Sequence, residues 1–218
     1  MQECDILVIG AGVAGASAAY ELAASGRVVV LERESAPGYH TTGRSAALYT
    51  ESYGSPVVRA LTLASKAFFD APPEDFAEHA LLTPRGALFV AREDQLAALD
   101  RTLAEAKKLV PSVRAVNAAE ALEISPALRP EYVAAGVFEP DAMDMDVHAI
   151  HGGFLKGLRR RGGEVVTDAG VTALKRDHKT WIAETSKGAF AAPIVVNAAG
   201  AWCDEIARLA GVAPVGLV

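Results

Sequence analysis

The chain has 218 residues, 51% apolar and 22% charged, with a net charge of −6 from 21 basic and 27 acidic side chains. That is room for one large domain or two small ones, and it excludes a disordered or low-complexity chain. The acidic balance also argues against nucleic-acid binding, because the one dense basic run, Arg159-Arg160-Arg161, reads as a solvated helix end.

With 43 alanines, much of the apolar share is small, helix-friendly surface rather than bulky core. Cys4 and Cys203 lie far apart without a Cys-x-x-Cys, which suits reduced cytosolic thiols better than a disulfide framework or a zinc site. The expected localisation is cytoplasmic, with a place peripheral to the inner membrane as the alternative. Ile6 to Ala24 is nearly free of charge. Gln2, Glu3 and Asp5 stand where a signal peptide needs positive residues, and Glu21 and three glycines argue against a transmembrane segment.

The first forty residues explain that segment. Asp5 to Ile9 has the length of a buried strand and stops at Gly10. Gly10-Ala11-Gly12-Val13-Ala14-Gly15 follows, then a helix-forming run, Ala16 to Ala24, closed by Gly26. Arg27 to Glu32 reads as a second buried strand ending in an acid. Strand, Gly-x-Gly-x-x-Gly, helix, strand and terminal acid form a dinucleotide-binding βαβ unit. Gly10 serves the tight turn, Gly12 the close approach of a pyrophosphate, and Gly15 the packing of the helix on the sheet. The helix N-terminus offers N–H groups and partial positive charge to phosphates. Glu32 is placed to bind an adenosine ribose and disfavours a 2′-phosphate.

Pro37 to Ala47 is a polar, glycine-containing loop running into a predicted helix, a second segment for a cofactor. Pro56 to Asp70 is predicted as a helix with an apolar surface from Val57, Leu61 and Phe68 among others. Strand-like runs at 80–83 and 87–90 flank a Pro84-Arg85-Gly86 turn, and Asp94 to Val110 is an amphipathic helix. Asn117 with Glu120 has capping-box spacing, and Val133 to Phe138 is a strand candidate. Asp144, Asp146, His148 and His151 invite a metal reading. The favoured one is no metal: Asp146 caps the helix running to Arg161, and the histidines lie on its surface. Gly170 to Leu174 is strand-like. Ala192 to Trp202 is an apolar strand breaking at Ala198-Ala199-Gly200, and the chain ends on an apolar strand-like start, Ala213 to Val218.

The stretches Leu7 to Gly12, Val28 to Glu34, Gly43 to Ala47 and Val196 to Asp204 together resemble the D-amino-acid oxidase-like flavoenzymes. The chain looks most like their bacterial D-amino-acid dehydrogenases of the D-arginine type, matching the N-terminal half. The resemblance implies an α/β fold: a Rossmann-like FAD-binding domain over 1–78 and 146–218, with residues 79–145 as an inserted α+β part of a substrate domain. It implies FAD as cofactor. Gly10, Gly12, Val13, Ala14 and Gly15 would hold the pyrophosphate, Glu32 the ribose, and Arg33 would flank the adenine end. Thr42, Gly43, Arg44, Ser45, Ala46, Ala47 and Leu48 would run along the pyrophosphate and flavin. Val171 would meet the adenine through its backbone, and Ala199, Gly200 and Trp202 would close the pocket. Tyr53 would face the substrate as the catalytic candidate.

Two departures bear on specificity. Leu48 stands where the arginine-specific relatives carry histidine, and Ala87 where they carry glutamate, so neutral or hydrophobic D-amino acids are favoured. The activity implied is oxidation of a CH–NH2 group to an imino acid by hydride transfer to flavin N5, with oxygen or a quinone as acceptor. The alternatives are a truncated flavin-binding fragment without turnover, and a relative acting on a hydroxy acid or secondary amine. The carboxylate-binding arginine is expected in a second half of the chain.

Overall fold

The computed structural model describes residues 1–217. In chain order the first elements are β1 (Gln2–Glu3), β2 (Ile6–Ile9), α1 (Val13–Leu22), β3 (Val28–Leu31), β4 (Leu48–Tyr49), α2 (Pro56–Asp70), β5 (Leu82–Pro84) and β6 (Ala87–Ala91). Then come α3 (Leu96–Lys107), β7 (Arg114–Asn117), α4 (Ala118–Ile124), β8 (Ala135–Glu139), β9 (Met143–Met145) and α5 (Val147–Arg160). The last are β10 (Glu164–Val166), β11 (Val171–Asp177), β12 (Thr180–Thr185), β13 (Gly188–Ala192), β14 (Ile194–Asn197) and α6 (Cys203–Leu209).

The chain forms two compact units: Met1–Ser45 with Glu74–Glu78 and Val147–Val218, and Ala46–Pro73 with His79–Asp146. The sequence reading places residues 46–73 with the cofactor domain. They join the second unit because β4 pairs antiparallel with β9, Leu48 opposite Asp144.

The first unit is built on a parallel sheet in the order β10-β3-β2-β14. Successive side chains of a strand point to opposite faces, and both faces are covered here, so β2 and β3 are buried along their whole length. Ile6, Val8, Val28 and Val30 pack with Ala19 of α1 and Leu158 of α5. Leu7, Ile9, Val29 and Leu31 pack the other way, against Leu174, Ala183 and Phe190 of the antiparallel β11-β12-β13 meander and Ile206 of α6. The second unit has two antiparallel three-stranded sheets, β4-β9-β5 and β6-β8-β7. Val137 of β8 packs with Ala106 of α3, and Val116 of β7 with Ala121 of α4.

The fold class is the α/β one expected, with local differences. α1 ends at Leu22, four residues before Gly26, whose role is to make room: a Cβ there would lie 2.9 Å from the Asp5 carboxylate, which accepts the Arg27 N–H at 2.7 Å. The 37–47 loop runs into a single 3-10 turn, Thr42–Arg44, and then β4, not a helix. The Gly86 turn (φ +79°) sends β5 and β6 into different sheets. No residue of α2 is buried; Val57 is 68% and Leu61 64% exposed. Strands β12 and β13 have no counterpart in the sequence reading. Residues 213–217 form no strand; the N–H groups of Val215, Gly216 and Leu217 each donate to the buried Asp204 carboxylate at 3.0 Å. Val218 lies outside the described residues.

Candidate functional site

In open α/β sheets, ligands bind beyond the C-terminal ends of the strands. Here those ends carry Ile9-Gly10, Leu31-Glu32 and Ala198-Ala199, and they line a cavity of about 490 Å³. Gly12, Val13, Ala14, Arg33, Thr42, Val171, Gly200 and Trp202 complete the predicted set in its wall. Eleven sequence-predicted residues from five separate segments therefore meet at one site.

The three motif glycines have different physical reasons. Gly10 has φ +103°, and a Cβ there would lie 2.4 Å from the Ala198 carbonyl oxygen. A Cβ at Gly15 would lie 1.8 Å from the Gly10 oxygen, so helix and turn touch only because Gly15 has no side chain. At Gly12 the nearest atom is Thr42 Oγ1, at 3.3 Å. Protein packing thus requires Gly10 and Gly15, while the space beside Gly12 opens toward the cavity. Gly15 lies behind that wall rather than in it. The first N–H groups of a helix have no intrahelical partner; that of Val13 donates to Thr42 Oγ1 at 2.9 Å, which ties the glycine turn to the second loop.

Glu32 is 8% exposed, and its carboxylate organises the loops around it. Oε2 accepts from the Ala11 N–H at 2.9 Å and Oε1 from the Glu34 N–H at 3.0 Å. A carboxylate has about four acceptor positions, so two remain for ribose hydroxyls. Arg33 stacks its guanidinium over the Trp202 ring at 4.4 Å and pairs with Glu34 at 3.1 Å. His40, which the sequence reading passed over, sits 4.6 Å from Trp202 between ring centroids and meets Glu34 Oε1 at 2.9 Å. That hydrogen bond, with Arg33 beside it, holds the Glu34 carboxyl below the usual carboxylate range. Nothing in local spacing singles out His40, because its partners come from residues 34 and 202.

Other predicted residues are not among those that line this cavity. Gly43 closes on Gly38 (N to O, 2.7 Å), Arg44 donates to the Tyr39 carbonyl at 3.3 Å, and the Ser45 N–H meets Thr42 O at 3.4 Å. Ala46, Ala47, Leu48 and Tyr53 belong to the second unit, where Tyr53 is 67% exposed. His151 is buried rather than superficial: its Nε2 meets the Ala11 carbonyl at 2.9 Å, while His148 is exposed. Among the described residues no group of three His, Cys, Asp or Glu side chains gathers as a metal site. Arg161 is more than a solvated end, since its guanidinium lies 3.8 Å over the Tyr20 ring. Ala87 lies directly across the strand pair from Glu139, so the face from which Ala87 removes a carboxylate carries one nonetheless. No helix among the described residues is long and apolar enough to cross a membrane.

Comparison with known proteins supports the flavoenzyme family and does not single out the D-arginine dehydrogenase type. The model of the DAO family, "FAD dependent oxidoreductase", matches residues 5–217. The mouse (Mus musculus) mitochondrial dimethylglycine dehydrogenase is 27% identical over 95% of this chain and 24% of its own length. The Escherichia coli K12 L-2-hydroxyglutarate dehydrogenase is 26% identical over 96% of this chain and 50% of its own. Among solved structures, glycine oxidase from Geobacillus kaustophilus superposes with a TM-score of 0.85 at 23% identity, covering 96% of this chain and 58% of that one. L-alpha-glycerophosphate oxidase from Mycoplasma pneumoniae, solved with FAD bound, gives a TM-score of 0.82 at 19% identity over 97% of this chain and 58% of that one. The chain thus spans between a quarter and about three-fifths of the relatives it matches. It belongs to the DAO family of FAD-dependent oxidoreductases, and FAD is that family's cofactor.

Proposed function

We propose that this chain is the cofactor-binding part of a flavoenzyme that oxidises the carbon–nitrogen bond of an amino acid, a D-amino acid in the first instance. The observation that carries the reading is the cavity at the strand ends, open beside Gly12 and framed by Glu32. Gly12, Val13 and Ala14 would approach the pyrophosphate through their backbone, Glu32 would take the ribose, and Val171 the adenine. Arg33 and Trp202, already stacked on each other, would cover that end. FAD, when bound, supplies the hydride acceptor, and the protein's part is to align the substrate and shield it from water. Electrons would pass on to oxygen or a quinone.

A second reading, a secondary or tertiary amine or a hydroxy acid as substrate, is favoured by the relatives named dimethylglycine dehydrogenase and L-2-hydroxyglutarate dehydrogenase. A visible spectrum of the purified chain tests the cofactor: flavin bands in the blue and near ultraviolet are expected, and a colourless protein that takes up no FAD overturns the proposal. Anaerobic bleaching by D-amino acids, by sarcosine and dimethylglycine, or by 2-hydroxy acids then separates the substrate readings. Bound flavin that no panel member bleaches identifies a binding fragment without turnover.

A further inference from the structure

His151 is a buried polar side chain of α5, 8% exposed, and it lies outside the wall of the strand-end cavity. Its Nε2 meets the Ala11 carbonyl at 2.9 Å. A carbonyl oxygen only accepts, so Nε2 carries the hydrogen and donates it. The same ring packs against Gly38, where a Cβ would lie 2.8 Å from His151 Cε1. One imidazole therefore touches both the glycine turn and the second cofactor loop.

Ala11 is held on both sides. Its N–H donates to Glu32 Oε2 at 2.9 Å, and its carbonyl accepts from His151. The Ala11 carbonyl and the Gly12 N–H belong to one peptide group, and no peptide bond among the described residues is cis. In a planar trans peptide the two bonds point in opposite directions. With the carbonyl drawn toward α5, the Gly12 N–H points away from α5. Gly12 lines the cavity, and the structure shows no protein acceptor for its N–H among the described residues. The next donor, the Val13 N–H, is already taken by Thr42 Oγ1.

We infer, resting on the reading of the glycine turn as a pyrophosphate cradle, that His151 is a positioning residue for the cofactor. Its bond to the Ala11 carbonyl aims the Gly12 N–H at a phosphate oxygen. Glycine at position 12 leaves this peptide plane easy to rotate, so something else must hold it. Hydrogen bonding at the carbonyl also polarises the peptide and makes its N–H a stronger donor. An N–H that meets an anionic oxygen forms a charge-assisted bond, in which aim counts for more than in a neutral pair.

Equilibrium titration of the full chain tests this, with FAD followed by flavin fluorescence, and ADP and adenosine by calorimetry. The native chain should bind FAD, and should bind ADP more tightly than adenosine. His151→Leu removes the donor at comparable volume and should weaken FAD and ADP about tenfold, with adenosine unchanged. His151→Gln, which keeps an Nε2 donor, should recover most of that loss. Thermal unfolding of each variant shows that the fold is kept. Should His151→Leu fail to fold, His151→Asn, polar but shorter, carries the same test. A folded leucine or asparagine variant that binds ADP like the native chain, or that loses adenosine as much as ADP, overturns the inference alone. A native chain that binds neither FAD nor ADP overturns the pyrophosphate reading and the inference with it.

Discussion

The Glu32 carboxylate accepts the Ala11 N–H at 2.9 Å, joining the end of β3 to the middle of the glycine turn. Its other oxygen takes the Glu34 N–H, so one buried side chain fixes two cofactor-facing loops. A glutamine keeps one acceptor and sets its NH2 against the other N–H. Glu32→Gln should therefore lose about 1–3 kcal/mol of stability, the penalty for leaving a buried donor unmet. Urea denaturation monitored by circular dichroism checks this. An unchanged midpoint would make Glu32 a ligand contact only.

The glycines make a sharper pair of predictions. Gly15→Ala forces a Cβ within 1.8 Å of the Gly10 carbonyl oxygen and should cost several kcal/mol, since backbone must move. Gly12→Ala meets only a hydroxyl at 3.3 Å and should cost about 1 kcal/mol or less as a poorer N-cap. Its effect should fall instead on FAD retention, measured as flavin absorbance per chain after gel filtration. Equal stability losses in the two variants would contradict the assignment of different roles.

These glycines were legible because turn geometry is a local matter, written in adjacent residues. The capping box is another such case: Asn117 Oδ1 accepts the Glu120 N–H, and Glu120 Oε2 the Asn117 N–H, both at 2.9 Å. What escaped the sequence depends on distant partners. His151 reaches Ala11 across 140 residues, so nothing near it announces a buried role. Glu139 reads as one more acid at a strand end until β8 is paired and the 50–52 loop is folded over it. The apolar residues of α2 have helical spacing, which predicts the helix correctly. Spacing alone carries no information about what covers the face, and in this chain Val57 and Leu61 are left exposed.

Thr42 offers a test of how the second loop is attached. Its Oγ1 accepts the Val13 N–H, an orphan donor of the first helical turn. Thr42→Val removes the acceptor at nearly constant volume and should cost about 1 kcal/mol, or a melting temperature lower by about 2–4 °C for a chain of this size. Thr42→Ser should restore it. A scan of the three proteins by differential calorimetry separates the hydroxyl's contribution from that of side-chain bulk.

The Glu34–His40 contact sets a pH dependence at the cavity rim. His40, and then Arg33, hold the Glu34 carboxyl below its ordinary value in the folded chain. A depressed carboxyl binds its proton more tightly when unfolded, so its contribution is complete above the ordinary carboxylate range, near about pH 4.3. It fades as pH falls through the lower folded value. The melting-temperature gap between the native chain and Glu34→Gln should therefore be full at about pH 6 and narrow progressively as pH falls below about 4. Because the group is partly exposed, about 1 M salt should narrow the gap at every pH. A gap that stays constant from pH 6 to pH 3 would show that the Glu34–His40 pair does not set the stability of this rim.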